Sequence, residues 1–223
     1  MIEYILFDLD GTLYSARWGL EKAVNHRVNE YLSQRLGLSM EEAGALRRER
    51  IRACNYGTTL EWLRAEKGMD RVELEKYFAH IHPEHEAEEL SPDPRLRSLL
   101  LSLNLPMGIL TNSPREHALR ILKKLEIEDL FPSIFDIRRN GLKGKPQGDV
   151  YRRVLAELGV GAQSCLFVDD VPRYVEGFRA IGGRGICFDE DDSHGDFPPP
   201  RIRTLEELRA FLDCPPEKRG LCG

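Results

Sequence analysis

Two aspartates close the first apolar run of the chain, in Phe7-Asp8-Leu9-Asp10-Gly11-Thr12. Carboxylates this close at the end of an apolar segment repel each other, and a divalent cation relieves the repulsion. Hard oxygen donors of this kind suit Mg²⁺. Gly11 permits a sharp turn and lets the backbone approach a ligand. The same residues also read as an Asp-Gly turn with its own cap. A second acidic pair, Asp169-Asp170, ends the run Cys165-Leu166-Phe167-Val168. Between the two pairs lie Leu110-Thr111-Asn112-Ser113-Pro114 and Lys143-Gly144-Lys145-Pro146. In the first, a hydroxyl and free N–H groups at a helix start make either an anion site or an ordinary Ser cap. In the second, a lysine in a glycine-containing turn either reaches a phosphate or stays solvated.

The elements that must carry these residues are short. Tyr4–Phe7, Met107–Leu110, Ile134–Ile137, Cys165–Val168 and Gly185–Phe188 are almost unbroken apolar runs, too short for helices. That pattern predicts strands buried on both faces, hence a parallel sheet. Asp93-Pro94 and Ser113-Pro114 open helices, with Asp or Ser as cap and Pro in the first turn. Tyr151–Leu158 stops at Gly159, Val171–Ile181 stops at Gly182-Gly183, and Thr204 with Glu207 forms a capping box for a last helix. Strand and helix in alternation mean an α/β fold with right-handed crossovers. In such a sheet the carboxyl ends of the strands share one edge, where ligands bind. All four features then converge, and independent coincidence becomes the weaker explanation.

Residues 15–92 contain no convincing strand. Val24, Val28, Tyr31, Leu32 and Leu36 mark one amphipathic helix. Ser39 with Glu42, Thr58 with Glu61, and Asp70 with Glu73 start three more. This predicts an all-helical insertion, with Pro92 and Pro94 marking the return to the sheet. His80, His82 and His85 cluster around Pro83, and their uneven spacing reads as a solvated helix end more than a metal site. Residues from Pro215 to Gly223 are expected to be poorly ordered.

In order and type, Asp8-Leu9-Asp10-Gly11-Thr12, Thr111, Lys145 and Asp169-Asp170 resemble the four motifs of haloacid dehalogenase-superfamily phosphatases. The resemblance covers residues 1–14 and 93–190. It implies a Rossmann-like parallel-sheet core (residues 1–14 and 93–223) with an inserted helical cap (residues 15–92). It also implies Asp8 as nucleophile and Asp10 as general acid and base. Thr111, Asn112 and Lys145 would bind phosphate. Mg²⁺ would be held by Asp8, the backbone carbonyl of Asp10 and Asp169, with Asp170 behind them or orienting Lys145. Two departures stand out. Tyr174 occupies a place where relatives often carry Asn or Asp, and Gln147 replaces a second proline after Pro146.

Asn55-Tyr56-Gly57-Thr58-Thr59-Leu60 is similar to a Tyr-Gly element in the pyrimidine 5'-nucleotidase-like branch. So are Leu90–Asp93, Leu110–Ser113, His117–Arg120 and Ile127–Phe131 with their counterparts there. The branch implies a nucleoside monophosphate as substrate, with Asn55, Tyr56 and Thr58 as specificity candidates and Arg17 and Trp18 near the hinge. A sugar-phosphate phosphatase or a phosphomutase is the alternative within the superfamily, and a non-catalytic nucleotide-binding module the alternative outside it. Asp10 favours phosphoester chemistry over dehalogenation, which needs no general acid.

Composition limits the partners. The chain has 223 residues, 32 Lys and Arg against 37 Asp and Glu, and a net charge of -5. This argues against a nucleic acid polymer or an anionic membrane as partner. The expected partner is a small phosphorylated metabolite, with the protein a monomer or small homo-oligomer. No apolar run approaches the ~20 residues that span a bilayer, and Met1-Ile2-Glu3-Tyr4 does not begin a secretory signal. The cysteines number five, with no CxxC pair. A cytoplasmic setting is therefore expected.

Overall fold

The computed structural model describes residues 1–198 and 200–213, so the expectation for residues 215–223 lies outside the described residues. Six strands form one parallel sheet: β1 (Tyr4–Phe7), β2 (Met107–Leu110), β3 (Ser133–Phe135), β4 (Cys165–Asp169), β5 (Arg184–Phe188) and β6 (Arg201–Ile202). Their order is β3-β2-β1-β4-β5-β6. Every residue of β1, β2 and β4 is buried, as expected of strands covered on both faces. The strand expected from Ile134 starts one residue earlier and ends at Phe135. β6 was not anticipated, because a strand of two residues has no apolar run to announce it.

The period of two along each strand sorts the core into two layers. Ile5, Phe7, Ile109 and Val168 face one side, where they meet α5 (Pro94–Ser102), α6 (Arg115–Lys124) and α9 (Glu207–Asp213) through Leu100, Ile121 and Leu208. Tyr4, Leu6, Leu110 and Phe167 face the other. They pack on α7 (Gly148–Leu158) and α8 (Pro172–Ala180) through Tyr151, Val154 and Phe178. Phe7 pairs with Ile109 on one side and Val168 on the other. That register brings the residues after β1, β2 and β4 to one edge, which is what the site requires.

Between β1 and α5 the described residues hold four α-helices: α1 (Leu20–Leu36), α2 (Met40–Ala53), α3 (Thr59–Lys67) and α4 (Arg71–Ile81). They enclose a separate apolar cluster built on Leu32, Leu60, Trp62, Leu63, Tyr77 and Phe78. Ser39 and Glu42 form the reciprocal capping box expected of them. Thr58 and Asp70 also cap their helices, accepting from the N–H groups of Glu61 and Glu73. The glutamates themselves turn elsewhere. Glu73 pairs with Arg35. Glu61 accepts from the backbone N–H of Gly57 at 3.1 Å and of Gly144 at 2.6 Å, and so ties the helical segment to the loop before Lys145.

Candidate active site

Asp8 follows β1, Thr111 follows β2, Asp169 ends β4, and Lys145 is delivered by the loop before α7. Asp8, Thr111 and Lys145 line one cavity of about 160 Å³ together with Asp10, Glu21, Asn112, Ser113, Asp170, Val171 and Tyr174. Asp169 does not line it, but is joined to it through Lys145. The structure therefore brings the core candidates together. Asn55, Tyr56 and Thr58 do not line this cavity. Tyr56 turns its hydroxyl to Glu66, Thr58 caps α3, and the Asn55 carbonyl accepts from Gln147. Their segment packs beside the Lys145 loop instead, and a Cβ on Gly144 would collide with Thr58 and Asn112.

Lys145 is the hub. Its ammonium donates to Asp8 Oδ1 at 2.5 Å and to Asp169 Oδ2 at 2.6 Å, with its side chain only 1% exposed. Asn112 fixes the backbone that carries it, accepting from Lys145 N–H at 2.7 Å and donating to its carbonyl at 3.2 Å. The ring of Tyr174 lies 4.9 Å from the ammonium, so the residue that departs from the family pattern packs on Lys145. Asp169 is oriented further by the N–H of Val171 at 2.8 Å. Thr111 is buried and accepts from the N–H of Ser113 at 3.0 Å. Asp170 does not touch Lys145. It lies against Gly11, where a Cβ would overlap its carboxylate and where φ is +80°. Gly11 thus serves a close approach as well as a turn.

Oxygen atoms of Asp8, Asp169 and Asp170 lie within 4.8 Å of one another. Asp170 Oδ1 is buried with no hydrogen-bond partner. Asp8 and Asp169 share one ammonium, and Asp170 beside them does not contact it. Burial, with the charges of Asp169 and Asp10 beside it, outweighs Lys145 and pushes Asp8 up to about 8. Burial, then Asp169 and Asp8, pushes Asp170 up to about 9. Burial alone would lower Lys145, but Asp169 and Asp8 hold it protonated. An all-oxygen set short of positive charge, with an unused buried oxygen, fits a hard divalent cation such as Mg²⁺.

Asp10 belongs to a different group. Its Oδ1 accepts from the Tyr14 hydroxyl and from His117 Nε2 at 2.7 Å, and its Oδ2 from Ser113 Oγ at 3.1 Å. His117 Nδ1 bonds Glu86 Oε1 at 2.7 Å, and Glu86 Oε2 bonds His82 Nδ1 at 2.9 Å. Arg120 closes the group, donating to Glu86 at 2.6 Å and to the His82 carbonyl at 3.0 Å. Burial would raise Asp10, but His117 and Tyr14 outweigh it and hold Asp10 at about 2. Burial would likewise lower His117, but Asp10 and Glu86 raise it to about 9. His82, buried and facing that charged ring, falls to about 4. Its place is therefore not the solvated helix end expected for the histidine cluster.

Sequence reading missed Tyr14, Glu86 and any role for His117. It also took Ser113 for a helix cap. The helix begins at Arg115 after Pro114, which leaves the Ser113 hydroxyl free for Asp10. A signal for His117 was present, since it shares the buried face of α6 with Ala118, Ile121 and Leu122.

Comparison with known proteins agrees with this arrangement. The family described as haloacid dehalogenase-like hydrolase matches residues 2–182. Phosphatase MT3486 of Mycobacterium tuberculosis (strain CDC 1551 / Oshkosh) is 27% identical over 95% of this chain and 97% of its own. Glyceraldehyde 3-phosphate phosphatase of Methanocaldococcus jannaschii is 26% identical over 93% of this chain and 96% of its own. A haloacid dehalogenase-type phosphatase from Thermococcus onnurineus shares the fold, with a TM-score of 0.63 and 23% identity over 95% of this chain and 98% of that one. The chain belongs to the haloacid dehalogenase-like hydrolase family and is a phosphatase of that family.

Proposed function

We propose that the protein hydrolyses small phosphomonoesters through an aspartyl-phosphate on Asp8, with residues 15–92 acting as a cap over the core of residues 1–14 and 93–223. One observation carries this reading: a single cavity is lined by Asp8, Asp10, Thr111, Asn112 and Lys145 together. Asp8 attacks phosphorus while the ester P–O bond breaks, and the departing oxygen takes a proton from Asp10. Water then attacks the acyl phosphate, giving its proton to Asp10 and releasing phosphate. Asp10 rests ionised, ready for the second step. A phosphate dianion arriving beside it raises its proton affinity toward the form that the first step uses. Lys145 and Thr111 stabilise charge on the transferring group. Mg²⁺ held by Asp8, the Asp10 carbonyl and Asp169 would offset the repulsion between carboxylate and phosphate.

The cavity, about 160 Å³, holds little more than a phosphoryl group and a few waters. The rest of the substrate therefore lies toward Glu21 and the cap. A nucleoside monophosphate is the substrate class we infer from the branch resemblance, with a sugar phosphate as the alternative. The resemblance over nearly the whole chain to a triose-phosphate phosphatase fits the wider class of small phosphorylated metabolites.

The test is phosphate release from a panel of nucleoside monophosphates and sugar phosphates, with Mg²⁺ or chelator, and with Asp8→Asn as control. Preference for pyrimidine monophosphates, lost in the variant and in chelator, is the expected result. Release from sugar phosphates alone would keep the chemistry and overturn the nucleotide assignment. Release that persists in Asp8→Asn would overturn the covalent route.

A further inference from the structure

Asp10 is held at three points, and the deepest of them leads away from the cavity. His117 is 1% exposed, and both its ring nitrogens are engaged, Nε2 on Asp10 at 2.7 Å and Nδ1 on Glu86 at 2.7 Å. Glu86 is also 1% exposed and belongs to the segment that returns from α4 to α5. That segment is bound from the core by Arg120 and from α1 by Arg27, whose guanidinium lies 3.8 Å from Glu86 Oε2 and also donates to the carbonyl of Ile81 at the end of α4 at 2.8 Å. An imidazole with both nitrogens committed has no freedom to tilt. The carboxylate it meets is fixed in direction as well as in distance.

We propose that His117 is a positioning residue for Asp10, its ring locked by Glu86, so that the Asp10 carboxyl points at the ester oxygen in the cavity. A general acid works only within hydrogen-bond reach of the atom it protonates, so a tilt of the carboxyl costs rate without altering the nucleophile. The proposal rests on the reading of Asp10 as acid and base. The same three side chains, His82, Glu86 and His117, lie close enough to suggest a metal site of their own. The contacts argue against it. A cation there would have to displace His117 from Asp10 or Glu86, and it would face the guanidinium of Arg120, already 2.6 Å from Glu86.

The experiment compares two esters. 4-Nitrophenyl phosphate has a leaving group that departs without a proton, while 2-phenylethyl phosphate releases an alkoxide that needs one. For each, kcat/KM is measured, which reports the steps through transfer to Asp8. Asp10→Asn should lose roughly 10²-fold or more on the alkyl ester relative to the aryl ester. His117→Leu should show the same selective loss, about 10-fold or greater. His117→Gln, which keeps an N–H donor toward Oδ1, should recover most of it, and Glu86→Gln should fall between. Should His117→Leu not fold, Glu86→Gln carries the test, and its loss must be selective for the alkyl ester. Equal loss on both esters, or no recovery in His117→Gln, overturns the positioning role while Asp10→Asn remains selective. Absence of selectivity in Asp10→Asn overturns the acid role itself and this proposal with it.

Discussion

Two buried polar groups meet at the carboxyl edge of the sheet, and they are charged in different ways. Around Lys145, Asp8 and Asp169 share one ammonium, and Asp170 lies beside them without reaching it. Around His117, the carboxylates of Asp10 and Glu86 face an imidazolium and the guanidinium of Arg120. The second group is balanced, and nearly every polar atom in it has a partner. The first is short of positive charge, and one of its buried oxygens has no partner. Burial makes such a deficit costly. A finished group holds something in place, whereas an unfinished one is completed by a ligand. That contrast fits the roles proposed above, in which the Lys145 group binds and reacts and the His117 group aims.

The contrast is broken most directly at its hub. Lys145→Met removes the cation shared by Asp8 and Asp169 and leaves like charges facing each other. The expected loss in kcat/KM is roughly 10²–10³-fold, with a stability cost of about 3–5 kcal/mol. Chemical denaturation and turnover of 4-nitrophenyl phosphate check both. Stability equal to the parent would show that the three carboxylates are not charge-starved. A smaller effect is expected in the balanced group. Glu86→Leu strips Arg120, His117 and His82 of their common acceptor and should cost about 1–3 kcal/mol, read as a shift of the urea midpoint at constant slope. No change would mean that the group contributes nothing by being balanced.

The two groups were also unequally legible in the sequence. The Lys145 group comes from strand ends. An apolar run that stops at an acid is visible to the eye, and the parallel topology dictates that such stops converge. Four of the expected strands match within a residue, since runs buried on both faces leave little freedom in register. The His117 group comes from a loop, a helix face and a linker, at Tyr14, His117 and Glu86. No spacing relates them, and a histidine on an apolar helix face looks like core. Asn55, Tyr56 and Thr58 illustrate the converse. Their motif is recognisable, but a motif does not say where a side chain points, and Tyr56 turns to Glu66. Ser113 was misread because Ser-Pro before a helix fits a cap so well. The actual cap is Pro114, one residue later.

The smallest expected effect sharpens the comparison without touching a catalytic step. If the Lys145 group lacks a cation and the His117 group does not, Mg²⁺ should stabilise the fold through the first alone. At ten times its dissociation constant a ligand bound only to the native state adds about 1.4 kcal/mol, which for a chain of this size raises Tm by roughly 3–5 °C. The measurement is a thermal melt in Mg²⁺ against chelator. Burial and its neighbours push Asp170 up to about 9, so near neutral pH it carries a proton that Mg²⁺ must displace. Asp170→Asn keeps the shape of the side chain but cannot ionise, so it should shrink the Mg²⁺ shift and leave the melting temperature in chelator nearly unchanged. His117→Leu should lower both melts by the same amount and leave the shift intact, because its group has no charge for the cation to answer. A Mg²⁺ shift that disappears in His117→Leu would mean that the two groups are one site, and that the balance of charge on the Asp10 side depends on what the Asp8 side binds.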